Sequence, residues 1–172
     1  MEALTNTTEV LAQSTANDFP IWKTVTLGTH RTPDEYHKAL KKAGFQIGDR
    51  ATDILGKICC THEETELDLV MLSVKELGFN DEACYRDICV KALESGLKLC
   101  PAEVGPALRL SYKDQPRGEW LRIATETTIE SAGDPSIFVV GSHDHLWLRR
   151  ANGDTEDFWE ADDQFVFQRR TS

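Results

Sequence analysis

The chain has 172 residues, of which 40% are hydrophobic and 28% charged, and its formal net charge is −10. That length matches one domain that can bury a core, and the composition is ordinary for a globular protein. The acidic balance and the lack of a basic cluster disfavour binding to nucleic acid or to an anionic membrane surface. No run of 18 apolar residues occurs, so no membrane-spanning helix is predicted.

Residues 1–20 are polar and weakly patterned, which predicts a mobile tail ahead of a single α+β domain over 21–172. The tail lacks the basic and apolar segments of a secretory signal, so a cytoplasmic location is expected. An odd number of cysteines fits free thiols in a reducing compartment, and their spacing does not match structural zinc sites. No cofactor is predicted from these thiols, which are Cys59, Cys60, Cys84, Cys89 and Cys100.

The first predicted elements are a strand and a helix. The alternating stretch IWKTVTL, residues 21–27, is typical of a strand. In the next segment Thr32 is a candidate N-cap, Pro33 takes the first helical position and Glu35 completes a T-x-x-E capping box. These signals predict a helix that ends at Gly44.

A second helix and an ambiguous segment follow. Asp49 is predicted to cap the helix. Residues 64–77 fit either a helix face or a strand buried on both sides. Because Ser73 and Glu76 form another capping-box pattern, we favour a strand over 66–72 that leads into one helical turn.

The remaining chain predicts one more helix and then a sheet. Acids in the first turn and a closing glycine predict a helix over 80–96, with Leu93 on its buried stripe. Five strand-like runs follow, separated by short polar turns, and the first of them is 107–112. The predicted fold class is therefore α+β, with N-terminal helices over about 30–100 followed by a curled antiparallel β-sheet meander over about 107–170.

Several stretches together resemble a family of short uncharacterised bacterial proteins. They are LGTHRTPDEYHKALKKAGFQIGDRATDILGK, GLKLCPAEVGPALRLSYKDQPRGEWLRIA and FWEADDQFVFQRR, and the resemblance covers nearly all of 22–170. It implies a bacterial origin and a single domain. Because that family carries no assigned activity, the resemblance implies no functional residues.

Three charged residues near CPAEVGP form the first candidate site. Glu103 is a candidate general acid or base, and Arg109 or Arg117 would orient a carboxylate or phosphate. The simpler interpretation is a structural ion pair that holds the corner between a helix and a hairpin. We favour this second interpretation.

The motif GSHDHLW supplies a second candidate. If it is a strand, His143 and His145 point to the same face and are candidate metal ligands. If SHD is a turn between two strands, both rings are solvated. The turn is favoured, and no metal site is predicted.

The third candidate is the segment DFWEADD, which places two aromatic residues among acids. Phe158, Trp159, Glu160 and Asp162 form a docking surface for a partner with a basic surface, if the aromatic side chains are exposed. The alternative is a loop that Trp159 anchors in the core, which we favour for this segment taken alone.

Two hypotheses about function follow from these candidates. The preferred one is a small acidic cytoplasmic protein-interaction or regulatory module without catalytic activity. The alternative is a small hydrolase-like or ligand-binding enzyme with a pocket at Glu103, Arg109 and Arg117. For every candidate reactive motif in the sequence, the structural interpretation is favoured over the catalytic one. We therefore prefer the protein-interaction hypothesis.

Overall fold

A computed structural model of the chain describes residues 19–170. The predicted N-terminal tail therefore lies almost wholly outside the described residues. Within them, four α-helices are present: α1 (Pro33–Lys42), α2 (Asp49–Leu55), α3 (Tyr85–Glu94) and α4 (Val104–Ser111). A single 3-10 turn spans Lys75–Leu77. None of these helices is both long and apolar enough to cross a membrane.

Eleven strands complete the described part of the chain. They are β1 (Lys23–Leu27), β2 (Gln46–Ile47), β3 (Thr65–Ser73), β4 (Ala83–Cys84), β5 (Leu97–Lys98), β6 (Trp120–Ile123), β7 (Thr128–Ile129), β8 (Pro135–Ser142), β9 (Leu146–Asn152), β10 (Phe158–Trp159) and β11 (Gln164–Arg169). Nine of them form one curled sheet in the order β1-β3-β11-β6-β8-β9-β2, with β5 beside β11 and β7 beside β8. The other two, β4 and β10, form a separate antiparallel pair.

The fold is α+β, as predicted, but two features of the predicted arrangement are wrong. The helices are not all N-terminal to the sheet, because β1 and β3 lie in the same sheet as β11. The sheet is also mixed rather than antiparallel throughout. The pairs β6–β11 and β2–β9 are parallel, while the others are antiparallel.

The predicted strand 107–112 is wrong as well, because residues 107–111 belong to α4 and Tyr112 caps its C-terminus. The alternation of Leu108 and Leu110 suggested a strand, yet the residues that are fully buried are Val104, Leu108 and Arg109. Val104 and Leu108 have the i, i+4 spacing of one helix face. Pro106 lies in the first helical turn, where its missing N–H costs no hydrogen bond.

Local capping signals predicted α1 and the turn after β3 correctly. The Thr32 hydroxyl accepts the Glu35 N–H at 3.1 Å, and α1 ends at Lys42, two residues before Gly44, which has a left-handed conformation. In the segment that was ambiguous, Ser73 and Glu76 exchange side-chain-to-backbone hydrogen bonds, which confirms the strand and the following turn.

Two other helix predictions need correction. The second helix is capped by Gly48, and Asp49 is its first residue. The predicted helix 80–96 is shorter, since α3 begins at Tyr85 and residues 83–84 form β4. Leu93 was expected to be buried but is 51% exposed.

The sheet separates two hydrophobic clusters. Along β11, Val166 points to one face while Phe165 and Phe167 point to the other, as strand geometry requires. Helices α1, α2 and α4 cover the first face, which we call the helical face. Helix α3 covers part of the second, or outer, face where β3 and β11 lie. The outer face continues over β6, β8 and β9.

Candidate functional site

Glu103 is completely buried immediately before α4, and its carboxylate is held by hydrogen bonds from three separate segments. One oxygen accepts the Gly28 N–H at 2.9 Å and the Tyr36 hydroxyl. The other accepts the Thr61 N–H at 2.7 Å and the Thr61 hydroxyl at 2.8 Å. Both oxygens of the Glu103 carboxylate are therefore occupied by hydrogen bonds from the protein. Burial, followed by the hydrogen bond to Glu103, raises the pKa of Tyr36.

Arg109 is also completely buried, near the other end of α4. Its guanidinium donates to the carbonyl oxygens of Gly141 at 3.0 Å and Trp147 at 3.3 Å, to that of Tyr112, and to the Gln115 side chain at 2.7 Å. Burial lowers its pKa to about 10. The two buried charges suit the helix dipole, because the anion lies at the N-terminus and the cation near the C-terminus.

Arg117 does not join the other two charged residues. It is exposed and forms an ion pair with Asp144 at 3.2 Å. Glu103, Arg109 and Arg117 share no hydrogen-bond partner, and none of them lines the five best-defined clefts among residues 19–170. The structure therefore does not bring them together as a pocket, nor as the structural ion pair that we favoured.

The histidine motif forms a turn between β8 and β9. His143 and His145 are both exposed, and the His143 N–H donates to the His145 carbonyl at 3.2 Å. Among the described residues, no three potential metal ligands of the types His, Cys, Asp and Glu cluster together. The preferred turn interpretation is confirmed.

The aromatic acidic segment is split between surface and core. Phe158 pairs with Cys84 across β10 and β4, and its side chain is 62% exposed. Trp159 is half-buried and packs edge-on against Phe165, with ring centroids 5.5 Å apart. Glu160 is exposed. Trp159 therefore anchors the segment while Phe158 projects from it.

Acids lie around this segment in two different settings. Asp163 pairs with Arg122 at 3.4 Å, and Glu156 pairs with Arg86. Glu160 and Asp162, by contrast, are exposed and form no ion pair within residues 19–170. The carboxylates without a partner are therefore the two that we predicted as partner-binding residues.

A second group of side chains lies beside this segment on the outer face. The tripeptide Trp-Leu-Arg occurs twice, at 120–122 in β6 and at 147–149 in β9. Both leucines are completely buried in the helical-face cluster, so the tryptophans and arginines point to the outer face. We did not predict this group from the sequence, although the repeated tripeptide was a readable signal.

Strand β8 lies between β6 and β9 and brings the two tripeptides into register. Gly141 pairs with Trp120 on one side and Trp147 on the other, and the two indoles meet edge-on at 5.1 Å. A Cβ on Gly141 would lie 2.0 Å from the Trp147 ring, so only glycine permits this packing. Val139 pairs in the same way with Arg122 and Arg149.

These side chains line a cleft of about 280 Å³. Arg149 lies over the Trp147 ring at 4.4 Å, and Arg122 lies over the Trp159 ring at 5.1 Å. Arg122 and Arg149 supply its charged side chains, and no acidic residue lines it. Arg150 also borders it, but its guanidinium pairs with Glu130 at 2.8 Å. We call this site the tryptophan–arginine cleft.

An apolar cleft of about 300 Å³ lies along α3. Val90 and Leu93 contribute to it from the helix, and they are 46% and 51% exposed. Thr155, from the loop that precedes Phe158, also lines it. Three further clefts lie beside α1 and α2, along the segment 98–102, and between residues 118–122 and 162–164. The last one shares Trp120 and Arg122 with the tryptophan–arginine cleft and is also lined by Glu119, Asp162 and Asp163.

Fold and sites together define an α+β protein with a curled mixed sheet, a helical face that is fully packed and an outer face that is partly open. Comparison with family models, curated proteins and solved structures finds no match to this chain. The resemblance to short bacterial proteins therefore stays a prediction.

Proposed function

We propose that this chain is a protein-interaction module that docks a partner with a basic surface through Phe158 and the acids beside it. The observation that carries the proposal is the 62% exposure of Phe158 within a defined β-pair. Exposed apolar side chains scattered singly are common, but aromatic residues in a structured setting are favoured anchors at interfaces.

Electrostatics supports a basic partner. Glu160 and Asp162 follow Phe158 in the chain and form no ion pair inside the described residues, so their charges are available to a partner. Acids at the rim of an interface steer a basic partner during encounter and fix its orientation. At low salt the net charge of −10 adds an attraction to a basic partner, and physiological salt screens most of it.

The apolar cleft along α3 extends this surface. Its wall includes Thr155, in the loop that leads into Phe158, while Val90 and Leu93 supply apolar contact area. A single exposed phenylalanine is too small for a stable interface, which buries about 800 Å² on each partner. The cleft and Phe158 together offer a broader contact with a polar rim.

The experiment uses the full chain as bait in a lysate of its source cells, followed by identification of captured proteins. The Phe158→Ser bait should lose a captured partner, and the Glu160→Lys/Asp162→Lys bait should lose it too. The matched control is Ile129→Ser, because Ile129 is 53% exposed in β7, outside this segment. Capture by wild-type protein should also fall as salt rises.

Equal capture by the wild-type and Phe158→Ser baits would refute the proposal, as would a loss that Ile129→Ser reproduces. The hydrolase-like alternative is not proposed. The Glu103 carboxylate is occupied by four protein donors, and Arg109 and Arg117 share no cleft with it.

A further inference from the structure

The geometry of the outer face points to a second, independent site: the tryptophan–arginine cleft binds a small flat aromatic ligand that carries a carboxylate or phosphate. This inference does not depend on the proposed protein interaction. It rests on the register of three strands, on the charges that line the cleft and on buried donors that lack a partner.

The strand register builds two parallel rows of side chains across β6, β8 and β9. One row is Trp120, Gly141 and Trp147, and the other is Arg122, Val139 and Arg149. The outer members of each row are two strands apart, or about 10 Å between backbones. The Trp147 ring lies over Gly141 in the first row, and Val139 separates the two arginines in the second.

Hydrogen bonding in the cleft is incomplete. The indole N–H groups of Trp147 and Trp159 and the Nε–H of Arg122 are buried without an acceptor, and all three side chains line the cleft. A buried donor without an acceptor costs about 1–3 kcal/mol, so native proteins seldom leave several together. Trp147 is only 2% exposed as a residue.

The charges of the side chains that line the cleft favour an anionic ligand. Arg122 and Arg149 face the cleft, and no acidic side chain contributes to its lining. Asp163 pairs with Arg122 at 3.4 Å, and burial lowers the pKa of this arginine despite that ion pair. The net negative charge of the chain acts weakly here, because exposed charges more than about 8 Å away are largely screened at physiological ionic strength.

The aromatic walls and the size define the rest of the ligand. A volume of about 280 Å³ lies at the lower end of the range for small-molecule pockets, which suits one ring system. Trp120 is 46% exposed and Arg149 is exposed, and an indole face and a guanidinium plane both stack on flat rings. A cationic ligand is disfavoured, because arginines already lie over the rings of Trp147 and Trp159.

Access to the donors requires a small movement. The three donor atoms are covered by protein, so an acceptor reaches them only when a side chain of the cleft shifts. Arg149 can shift at little cost, because it is exposed, forms no ion pair within residues 19–170 and lies over the Trp147 ring. An anion that draws its guanidinium aside would uncover this face of the Trp147 ring.

The test titrates the full chain with three matched probes: 2-naphthoate, its neutral alcohol 2-naphthylmethanol and the cation 2-naphthylmethylammonium. Nitrogen-15 NMR follows the indole N–H signals of the four tryptophans. We expect 2-naphthoate to bind with a dissociation constant of about 1 mM or tighter. The signals of Trp147 and Trp159 should shift, whereas that of Trp22, which lies outside the cleft, should not.

Variants localise the binding. Arg149→Gln should weaken 2-naphthoate at least about fivefold, as expected for the loss of a charged contact. The control Arg117→Gln removes an exposed arginine outside the cleft and should change the affinity less than about twofold. An unchanged Trp22 signal in each variant shows that the fold is intact.

Three results would overturn the inference. They are equal or tighter binding of the neutral or cationic probe, equal weakening by Arg117→Gln, and the absence of saturable binding at millimolar 2-naphthoate. None of them bears on the Phe158 surface, so failure here leaves the proposed protein interaction to its own test.

Discussion

Replacement of Glu103 by glutamine tests whether this buried carboxylate is structural. The site supplies four donors and no other acceptor, with two donors on each carboxylate oxygen. Glutamine replaces one oxygen by an NH₂ group, which places donor against donor. The hydroxyls of Tyr36 and Thr61 can rotate, but the N–H of either Gly28 or Thr61 cannot, so at least one backbone donor stays unpaired.

The magnitude follows from these contacts. One unpaired N–H costs about 1–3 kcal/mol, and the remaining hydrogen bonds lose the extra strength that a charged acceptor provides. Relief of the cost of burying a charge offsets part of this loss. We therefore expect Glu103→Gln to lower the free energy of unfolding by about 2–3 kcal/mol.

Urea unfolding followed by circular dichroism measures the effect. With a slope of about 2 kcal/mol per molar urea, the midpoint should fall by about 1–1.5 M. The matched control is Glu94→Gln, because Glu94 is exposed on α3 and forms no hydrogen bond or ion pair through its side chain within residues 19–170. It should change stability by less than about 0.5 kcal/mol. A Glu103→Gln protein as stable as this control would refute the reasoning.

Two further predictions concern packing and pH. Gly105→Ala should destabilise the protein by about 1–3 kcal/mol although alanine is the better helix former, because its Cβ would lie 2.4 Å from the Phe138 ring. Thermal unfolding measures this, and partial recovery is expected in Gly105→Ala/Phe138→Leu; a stabilised Gly105→Ala protein would contradict it. Hydrogen bonds from Arg50 and Ser136 and the charge of Arg150 lower the pKa of Glu130 in the folded state. The stability that ionised Glu130 contributes is therefore fully present above the ordinary carboxyl pKa of about 4.5. It is lost as the pH falls through the lower pKa that Glu130 has in the folded protein. Glu130→Gln should flatten the rise of stability with pH in that acid window, measured by urea midpoints, and a slope like that of wild type would argue against this assignment.

Part of the site could be predicted from residue types alone. The segment DFWEADD combines aromatic and acidic residues, and the structure exposes Phe158 while it buries much of Trp159. Alternation along β10 separates these neighbours, but the sequence does not say which one faces outward. Glu103 and Arg109 were singled out correctly as unusual. Their partners come from distant segments, however, so neither the structural ion pair that we favoured nor the alternative of a shared pocket is formed.

Local signals in the sequence determined the ends of elements. Capping boxes at Thr32–Glu35 and Ser73–Glu76 depend on groups three residues apart, and glycines such as Gly78 permit a left-handed backbone. These interactions are complete within one turn, so they can be read without the fold. The same holds for the outward tryptophans and arginines of the two Trp-Leu-Arg tripeptides, because strand periodicity is local.

Tertiary structure alone decided the rest. The stretch 107–112 has both strand and helix character, and the helix prevails because α4 buries Val104 and Leu108 against the helical face and gives Arg109 its carbonyl acceptors. The place of β1 and β3 beside β11, and the register that aligns Trp120, Gly141 and Trp147, depend on contacts between residues far apart in the chain. Such contacts leave little trace in local periodicity, because the hydrogen bonds that pair two strands are made by the backbone and do not depend on side-chain identity.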